Sequence, residues 1–228
     1  MTLRPLRTYG RVKARTLKPR QAGLMDALLP HLALPEEGAI DIGEIFAASA
    51  ADAGVVLEIG FGGGEHLVAQ ALARPDQRFI GVEPFTNGVA SCLRHIEEAN
   101  VKNVRLHMGD AREVIARLPA ASLDLVYILF PDPWPKARHH KRRLIPPAFL
   151  GELARVMKPG AEVRFATDWA DYAEWTLAIF TRDRHFLWLA DCAADWRRPW
   201  PGHVTTRYEA KKLGDCAPVW LRFERASS

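Results

Sequence analysis

Cysteine is scarce in this 228-residue chain: Cys92, Cys192 and Cys216 are odd in number, widely separated and without C-x-x-C spacing. That argues against a disulfide framework and against a cysteine-based zinc site, and leaves packing as their ordinary role. The eight histidines lack H-E-x-x-H or similar spacing, so no metal is expected. Long hydrophobic runs are missing as well. The longest, such as Leu125 to Phe130, fall far short of the roughly 20 apolar residues a spanning helix needs. No apolar leader core opens the chain, which therefore reads as soluble and cytoplasmic, with no membrane partner. Internal repeats and low-complexity segments are absent.

Acid is what two segments lack. Arg4, Arg7, Arg11, Lys13, Arg15, Lys18 and Arg20 lie in the first twenty residues with no Asp or Glu, and Lys136, Arg138, Lys141, Arg142 and Arg143 form a second run without one. Taking those twelve from the 31 basic residues leaves 19 against 27 acids, so the rest of the chain carries −8 although the whole carries +4. Positive charge concentrated in this way is the footprint of a polyanionic partner. With 48% hydrophobic and 25% charged residues, residues 21–228 are expected to form one globular domain, preceded by a flexible basic arm over residues 1–20.

The chain is organised around Val55 to Gly64. Val55-Val56-Leu57-Glu58-Ile59 is a short, nearly unbroken apolar run, as a strand covered on both faces would be. Gly60, Gly62 and Gly64 then allow a tight turn that brings bare backbone N–H groups to a ligand before a helix begins at Glu65. The dinucleotide pattern G-x-G-x-x-G would need glycine at position 65, where Glu65 stands. Glu58, at the strand end, would repel a pyrophosphate but suits a cofactor bearing an ammonium and a sulfonium, as S-adenosylmethionine does. A glycine turn in an unrelated α/β domain is the plainer alternative.

Further along, Phe79 to Val82 reads as the next buried strand, and Glu83 follows where such folds place a carboxylate against ribose hydroxyls. Asn87 to Glu98 reads as a helix and Val101 to His107 as a third strand. Asp110 either meets the cofactor's adenine or caps the helix from Ala111 to Leu118, and the two roles are compatible. A fourth strand, Leu123 to Phe130, ends in Pro131-Asp132-Pro133-Trp134-Pro135-Lys136, whose three prolines cannot continue a ladder. They make a stiff loop that fixes Asp132 and Trp134 beside the crevice, just before the second basic run. Pro146 to Met157 is a helix ended by Lys158-Pro159-Gly160, and Ala161 to Ala166 the fifth strand. Thr167 or Asp168 caps the next helix, Trp169 to Phe180, or Asp168 faces the crevice. Phe186 to Leu189 and Val219 to Phe223 form an antiparallel pair. Near the start, Gln21 to His31 is a short helix, and Ile40 to Ala51 a helix or a loop. The expected fold is α/β: a Rossmann-like, mostly parallel seven-stranded sheet with helices on both faces.

Taken together, Leu57-Glu58-Ile59-Gly60-Phe61-Gly62-Gly63-Gly64, Gly81-Val82-Glu83, Gly109-Asp110-Ala111, Phe130 to Lys136, Lys141-Arg142-Arg143, Ala166-Thr167-Asp168 and Thr206-Arg207-Tyr208-Glu209 resemble the bacterial tRNA (guanine-N7)-methyltransferase family over nearly the whole chain. The resemblance implies a class I methyltransferase fold, S-adenosylmethionine as donor and the guanine at position 46 of the tRNA variable loop as acceptor. It places Glu58, Glu83, Asp110 and Asp132 on the cofactor side, with Asp132 also catalytic. It places Lys136, Asp168, Thr206, Arg207, Tyr208 and Glu209 on the substrate side, and Arg138 to Arg143 against RNA. His140 stands where members often have Asn, and Arg207-Tyr208 where many have Lys-Phe. The competing readings are a methyltransferase acting on another RNA position or on protein, and a silent RNA-binding protein that kept the fold.

Overall fold

The computed structural model describes residues 16–47, 50 and 52–227, so most of the expected arm lies outside the described residues. The strands are β1 (Val55–Ile59), β2 (Arg78–Val82), β3 (Val104–His107), β4 (Leu123–Leu129), β5 (Met157–Thr167), β6 (Phe186–Trp188) and β7 (Val219–Arg225). They form one sheet in the order β3-β2-β1-β4-β5-β7-β6. The first five run parallel; β7 pairs antiparallel with β5 and with β6.

β1 lies inside the sheet between β2 and β4, and all five of its residues are buried, as in a strand covered on both faces. Its side chains alternate. Leu57 and Ile59 pack into one apolar layer with Val114, Leu150, Leu153 and Tyr172, and Val56 packs into the other with Leu67, Val68, Val89 and Leu93. The first layer is completed by α6 (Ala111–Arg117), α7 (Pro147–Val156) and α8 (Ala170–Arg182). The second holds α1 (Pro19–Ala27), α4 (Glu65–Ala73) and α5 (Thr86–Ala99). Short helices complete the two layers: Leu32 of α2 (Leu29–Leu32) joins the second, and Ile42 and Ile45 of α3 (Ile42–Ile45) and Trp196 of α9 (Ala194–Arg197) pack against the first.

Successive strands step one way from β1 to β3 and the other way from β4 onward, so the order reverses between β1 and β4. Ligands of open α/β sheets bind in the crevice at the carboxyl ends of such a pair. The segments after Ile59 and Leu129, the glycine loop and the proline loop, open there.

Several boundaries differ from expectation, among them β3, which begins at Val104 rather than Val101, and β7, which runs on to Arg225. The helix expected over 21–31 divides into α1 and α2, because Pro30 lacks an N–H and is accommodated only in a helix's first turn. α1 also begins at Pro19, so Arg20 belongs to it and pairs with Glu97 at 2.9 Å and Glu98 at 3.2 Å. β5 begins at Met157, ahead of Lys158-Pro159-Gly160. Leu123 pairs with Met157 but Leu125 with Glu162, so the extra residues bulge out of the ladder with Gly160 at φ 81°. Among the described residues no helix is long and apolar enough to cross a membrane.

Candidate active site

The glycine loop starts where Gly60 N donates to Val82 O at 2.8 Å. Gly60, Gly62 and Gly64 have φ of 75°, 55° and 82°, the left-handed region that side chains disfavour. A Cβ on Gly60 or Gly62 would meet nothing within 4 Å, whereas one on Gly64 would lie 2.4 Å from Cys92 Sγ. The first two therefore leave space open beside their Cα atoms and the third lets α4 pack against α5, but the N–H groups expected to be bare are bonded within the protein, Gly62 N to Glu83 and Gly64 N to Phe61 O at 2.9 Å. On α5, a Cβ at Gly88 would come 2.4 Å from Gly62 O, so that helix also cradles the loop.

Acids ring this backbone. Glu83 Oε2 accepts from Gly62 N at 2.8 Å and Oε1 from Phe85 N at 2.9 Å. Burial nevertheless holds the Glu83 carboxyl above its ordinary range; the two backbone hydrogen bonds oppose this, and the charges of Asp132 and Glu58 add to it. Three carboxylates thus act on one another across the crevice, an arrangement that favours a cationic ligand. Glu58 is buried, and His66 Nδ1 donates to its Oε2 at 2.7 Å. Asp110 caps α6, accepting from Arg112 N at 2.9 Å, and its carboxylate also binds the Arg112 guanidinium. The donor set fits a cofactor with cationic groups and ribose hydroxyls, which Glu58, Glu83, Asp110 and the open glycine backbone would hold.

Asp132 stands exposed at the carboxyl end of β4. Its loop is clamped at both sides by residues in the left-handed region, Phe130 at φ 49° and Trp134 at φ 44°. Each such residue costs about 1–2 kcal/mol, strain that persists only where surrounding contacts impose it. Those contacts are present. Phe130 N donates to Ala166 O at 2.8 Å, Arg143 Nε donates to Pro133 O at 3.0 Å, and the Arg142 guanidinium lies 4.9 Å from the Trp134 ring centroid.

The second basic run forms a 3-10 turn over Ala137–Arg142. Lys136, Arg138 and Lys141 are exposed and Arg142 half-buried, but Arg143 is buried. Its guanidinium pairs with Asp171 and lies over the Tyr172 and Trp175 rings at 4.8 and 5.1 Å. Arg143 thus braces the proline loop from inside, apart from the other four bases.

On the far wall, Asp168 is buried after β5; Gly214 N donates to its Oδ2 at 2.8 Å and Cys216 N to its backbone oxygen at 3.1 Å. Neither Thr167 nor Asp168 caps α8, contrary to expectation: its N-cap residue is Trp169 and its first amide, Ala170 N, donates to Asp215 Oδ1 at 2.9 Å, while Thr167 Oγ1 accepts from Trp169 N at 3.3 Å ahead of the helix. Thr206 to Glu209 closes on itself: Glu209 N donates to Thr206 Oγ1 at 3.1 Å and Thr206 N to Glu209 Oε2 at 3.3 Å. This reciprocity is that of a capping box, and its T-x-x-E spacing is readable in the sequence. Tyr208 packs on Phe130 with ring centroids 5.7 Å apart. Burial raises its phenol above the ordinary range; a hydrogen bond to Trp169 opposes this and the Asp168 and Asp132 charges add to it. Asp132, Asp168 and Tyr208 therefore meet around one space. Arg207 is exposed and lies 3.5 Å from Glu65. Sequence reasoning missed His66, His203 and Gly214, since no motif marks them.

A doubly wound sheet with an antiparallel β7 between β5 and β6, a glycine loop open to the switch crevice and acids at the strand ends define a class I S-adenosylmethionine-dependent methyltransferase. The fold is similar to that of precorrin-6y C5,15-methyltransferase from Geobacter metallireducens (TM-score 0.52, 14% identity, 95% of this chain and 94% of that one). It is also similar to that of a 30S ribosomal A1408 methyltransferase from an uncultured bacterium (TM-score 0.51, 14% identity, 85% and 98%). A family model described as "Putative methyltransferase" matches residues 52–220. The chain is 58% identical over 221 residues to a tRNA (guanine-N(7)-)-methyltransferase of Caulobacter sp., covering 97% of this chain and 96% of that protein. To one of Hyphomonas neptunium it is 50% identical over 219 residues, covering 96% and 99%. This chain belongs to the bacterial tRNA (guanine-N7)-methyltransferase family.

Proposed function

We propose that the protein transfers the methyl group of S-adenosylmethionine to N7 of the guanine at position 46 of the tRNA variable loop. The observation that carries this reading is the braced loop that holds Asp132 between the acid-ringed glycine backbone and the Asp168–Tyr208 wall, with exposed basic residues at its lip. When bound, the cofactor supplies an electrophilic methyl on a cationic sulfur.

The chain's residues do the rest. Gly60, Gly62, Glu58, Glu83 and Asp110 hold the donor, and Gly64 lets their loop turn into α4 against Cys92. Guanine N7 carries no proton at neutral pH, so no general base is needed, and holding the two reacting atoms in line supplies most of the acceleration. The purine gains positive charge as the bond forms. Asp132 stabilises that charge and accepts from the guanine N1–H and amino group, with Asp168 and Glu209 as further acceptors. Lys136, Arg138, Lys141 and Arg142 bind phosphates at the crevice mouth, and the basic residues of segment 1–20 extend that contact. Thr206, Arg207 and Tyr208 line the substrate side. Such an enzyme works in the cytoplasm, where its tRNA is.

Mass spectrometry of nucleosides after incubating the purified protein with unmodified tRNA and donor tests the reading. The expected product is 7-methylguanosine at one position. A different methylated nucleoside, a methylated protein or an unaltered tRNA would overturn it.

A further inference from the structure

α4 begins one residue after the last glycine of the loop and presents His66 and Gln70, four residues apart, on one face, with Arg74 just past its end. That face is polar and turned inward. His66 Nδ1 donates to Glu58 Oε2 at 2.7 Å, Gln70 Nε2 to Gly202 O at 2.7 Å, and Arg74 Nη2 to Gln70 Oε1 at 2.7 Å. The segment that leads to Thr206 and Glu209 is therefore seated on the helix that the cofactor loop opens.

At the centre of this seat two histidines meet. His66 is fastened to Glu58, and His203 Nε2 donates to Glu209 Oε2 at 2.8 Å. The two rings are 5.7 Å apart with planes 33° from parallel, and their side chains are 1% and 5% exposed. Tyr127 stands edge-on to His66 at 4.7 Å and Trp220 edge-on to His203 at 4.5 Å, which fixes both ring planes. Each imidazole uses one nitrogen on a carboxylate. The other, Nε2 of His66 and Nδ1 of His203, is buried without a partner. An unsatisfied buried polar atom costs about 1–3 kcal/mol, and two apolar side chains would fill the space without that penalty. The arrangement is costly as packing alone, but it links an acid of the cofactor pocket to an acid of the substrate wall through a rigid contact.

We propose that His66 and His203 are a positioning pair that ties Glu58 to Glu209, so that filling the cofactor pocket sets the 203–209 turn for guanine. The inference rests on the function proposed above, because it assigns Glu58 to the donor and Glu209 to the base. Charge brought to Glu58 alters how tightly it holds His66, and the shift of one ring is passed to the other by contact.

Two conservative variants separate this role from packing. His66→Asn keeps a donor near the position of Nδ1, and His203→Gln keeps one near that of Nε2, so each retains its carboxylate bond and loses the second ring nitrogen. The measurement is tRNA binding by the full-length protein with and without saturating S-adenosylhomocysteine, a donor product that cannot react. In the parent protein the nucleoside is expected to tighten tRNA binding by at least about fivefold, the lower end of typical coupling between sites. Each variant is expected to bring that ratio within about twofold of one, and the double variant to lose no more than either single change, as coupled residues do. Affinity for S-adenosylhomocysteine alone is expected to stay within about threefold.

A parent ratio near one, or a ratio preserved in both variants, would overturn the proposal even if the protein methylates tRNA. If the parent protein makes no 7-methylguanosine, the functional reading fails first and the pairing of roles fails with it.

Discussion

Gly214 lies directly against Asp168: its N–H donates to Asp168 Oδ2 at 2.8 Å, and a Cβ added to it would come 1.9 Å from the Asp168 backbone oxygen and 2.3 Å from its Cγ. The wall of the crevice is thus held by a backbone contact that admits no side chain. Gly214→Ala must displace Asp168 or the 212–216 loop. We expect kcat/KM for tRNA to fall by about 100-fold, the scale associated with a displacement of about 1 Å at a reacting centre. Donor binding should change less than threefold, measured by calorimetry on the same sample.

Arg143 offers a second test of how the site is held. Arg143→Met removes the bond to Pro133, the pair with Asp171 and two ring contacts, while its length still fills part of the space. A loss of roughly 2 kcal/mol in folding stability is expected, from cation–π and charge-assisted contacts. Because Arg143 does not face solvent, the salt dependence of tRNA binding should keep its slope. A flatter slope would show that it meets phosphate.

Glu83 gives the site a pH dependence whose sign follows from its burial. Its folded-state carboxyl sits above the ordinary value of 4.5, so the folded protein binds the proton more tightly than the unfolded chain does. Its contribution to stability is full below about pH 4.5 and is lost as pH rises through the folded value. Melting curves from about pH 4 to 7 should therefore show the parent protein losing stability relative to Glu83→Gln as pH rises. In its proposed role Glu83 meets the donor as the ionised carboxylate, so calorimetry at a pH just above the ordinary value of 4.5, in buffers of different ionisation enthalpy, should detect proton release in the parent and not in the variant.

In the proposed mechanism Asp132 serves the chemical step rather than tRNA binding. Asp132→Ala should lower kcat by about 100- to 1000-fold, as removal of one preorganised charge-stabilising group does, with tRNA affinity changed less than about fivefold. Equal losses in single-turnover rate and affinity would mean that Asp132 only positions RNA.

Much of this molecule was legible because its signals are local. A β-branched run that breaks into glycines has few backbone solutions, so Val55 to Gly64 could be placed as strand, loop and helix start. Asp110 could be read as a cap because N-capping depends on neighbours two or three residues away. The Thr206–Glu209 box is equally local and its spacing carries the signature, but in the sequence those residues were marked only through the family resemblance. The proline block after β4 announced rigidity, though not which way its strain would be borne.

Contacts between distant segments were not legible in this way. In sequence, Arg143 is one more cation in a basic run; only the packing of α8 beneath the loop turns it inward, because Asp171, Tyr172 and Trp175 supply a charge and two rings there. His66 and His203 carry no motif and are 137 positions apart, and Gly214 looks like an ordinary loop glycine until Asp168 is beside it. The sequence by itself determined the elements, the open glycine turn, the acids at strand ends and the placement of positive charge, all of which follow from bonding within a few residues. The tertiary structure decided which of these groups face one another, because burial, ring contacts and the exclusion of a Cβ arise only when separate parts of the chain are folded together.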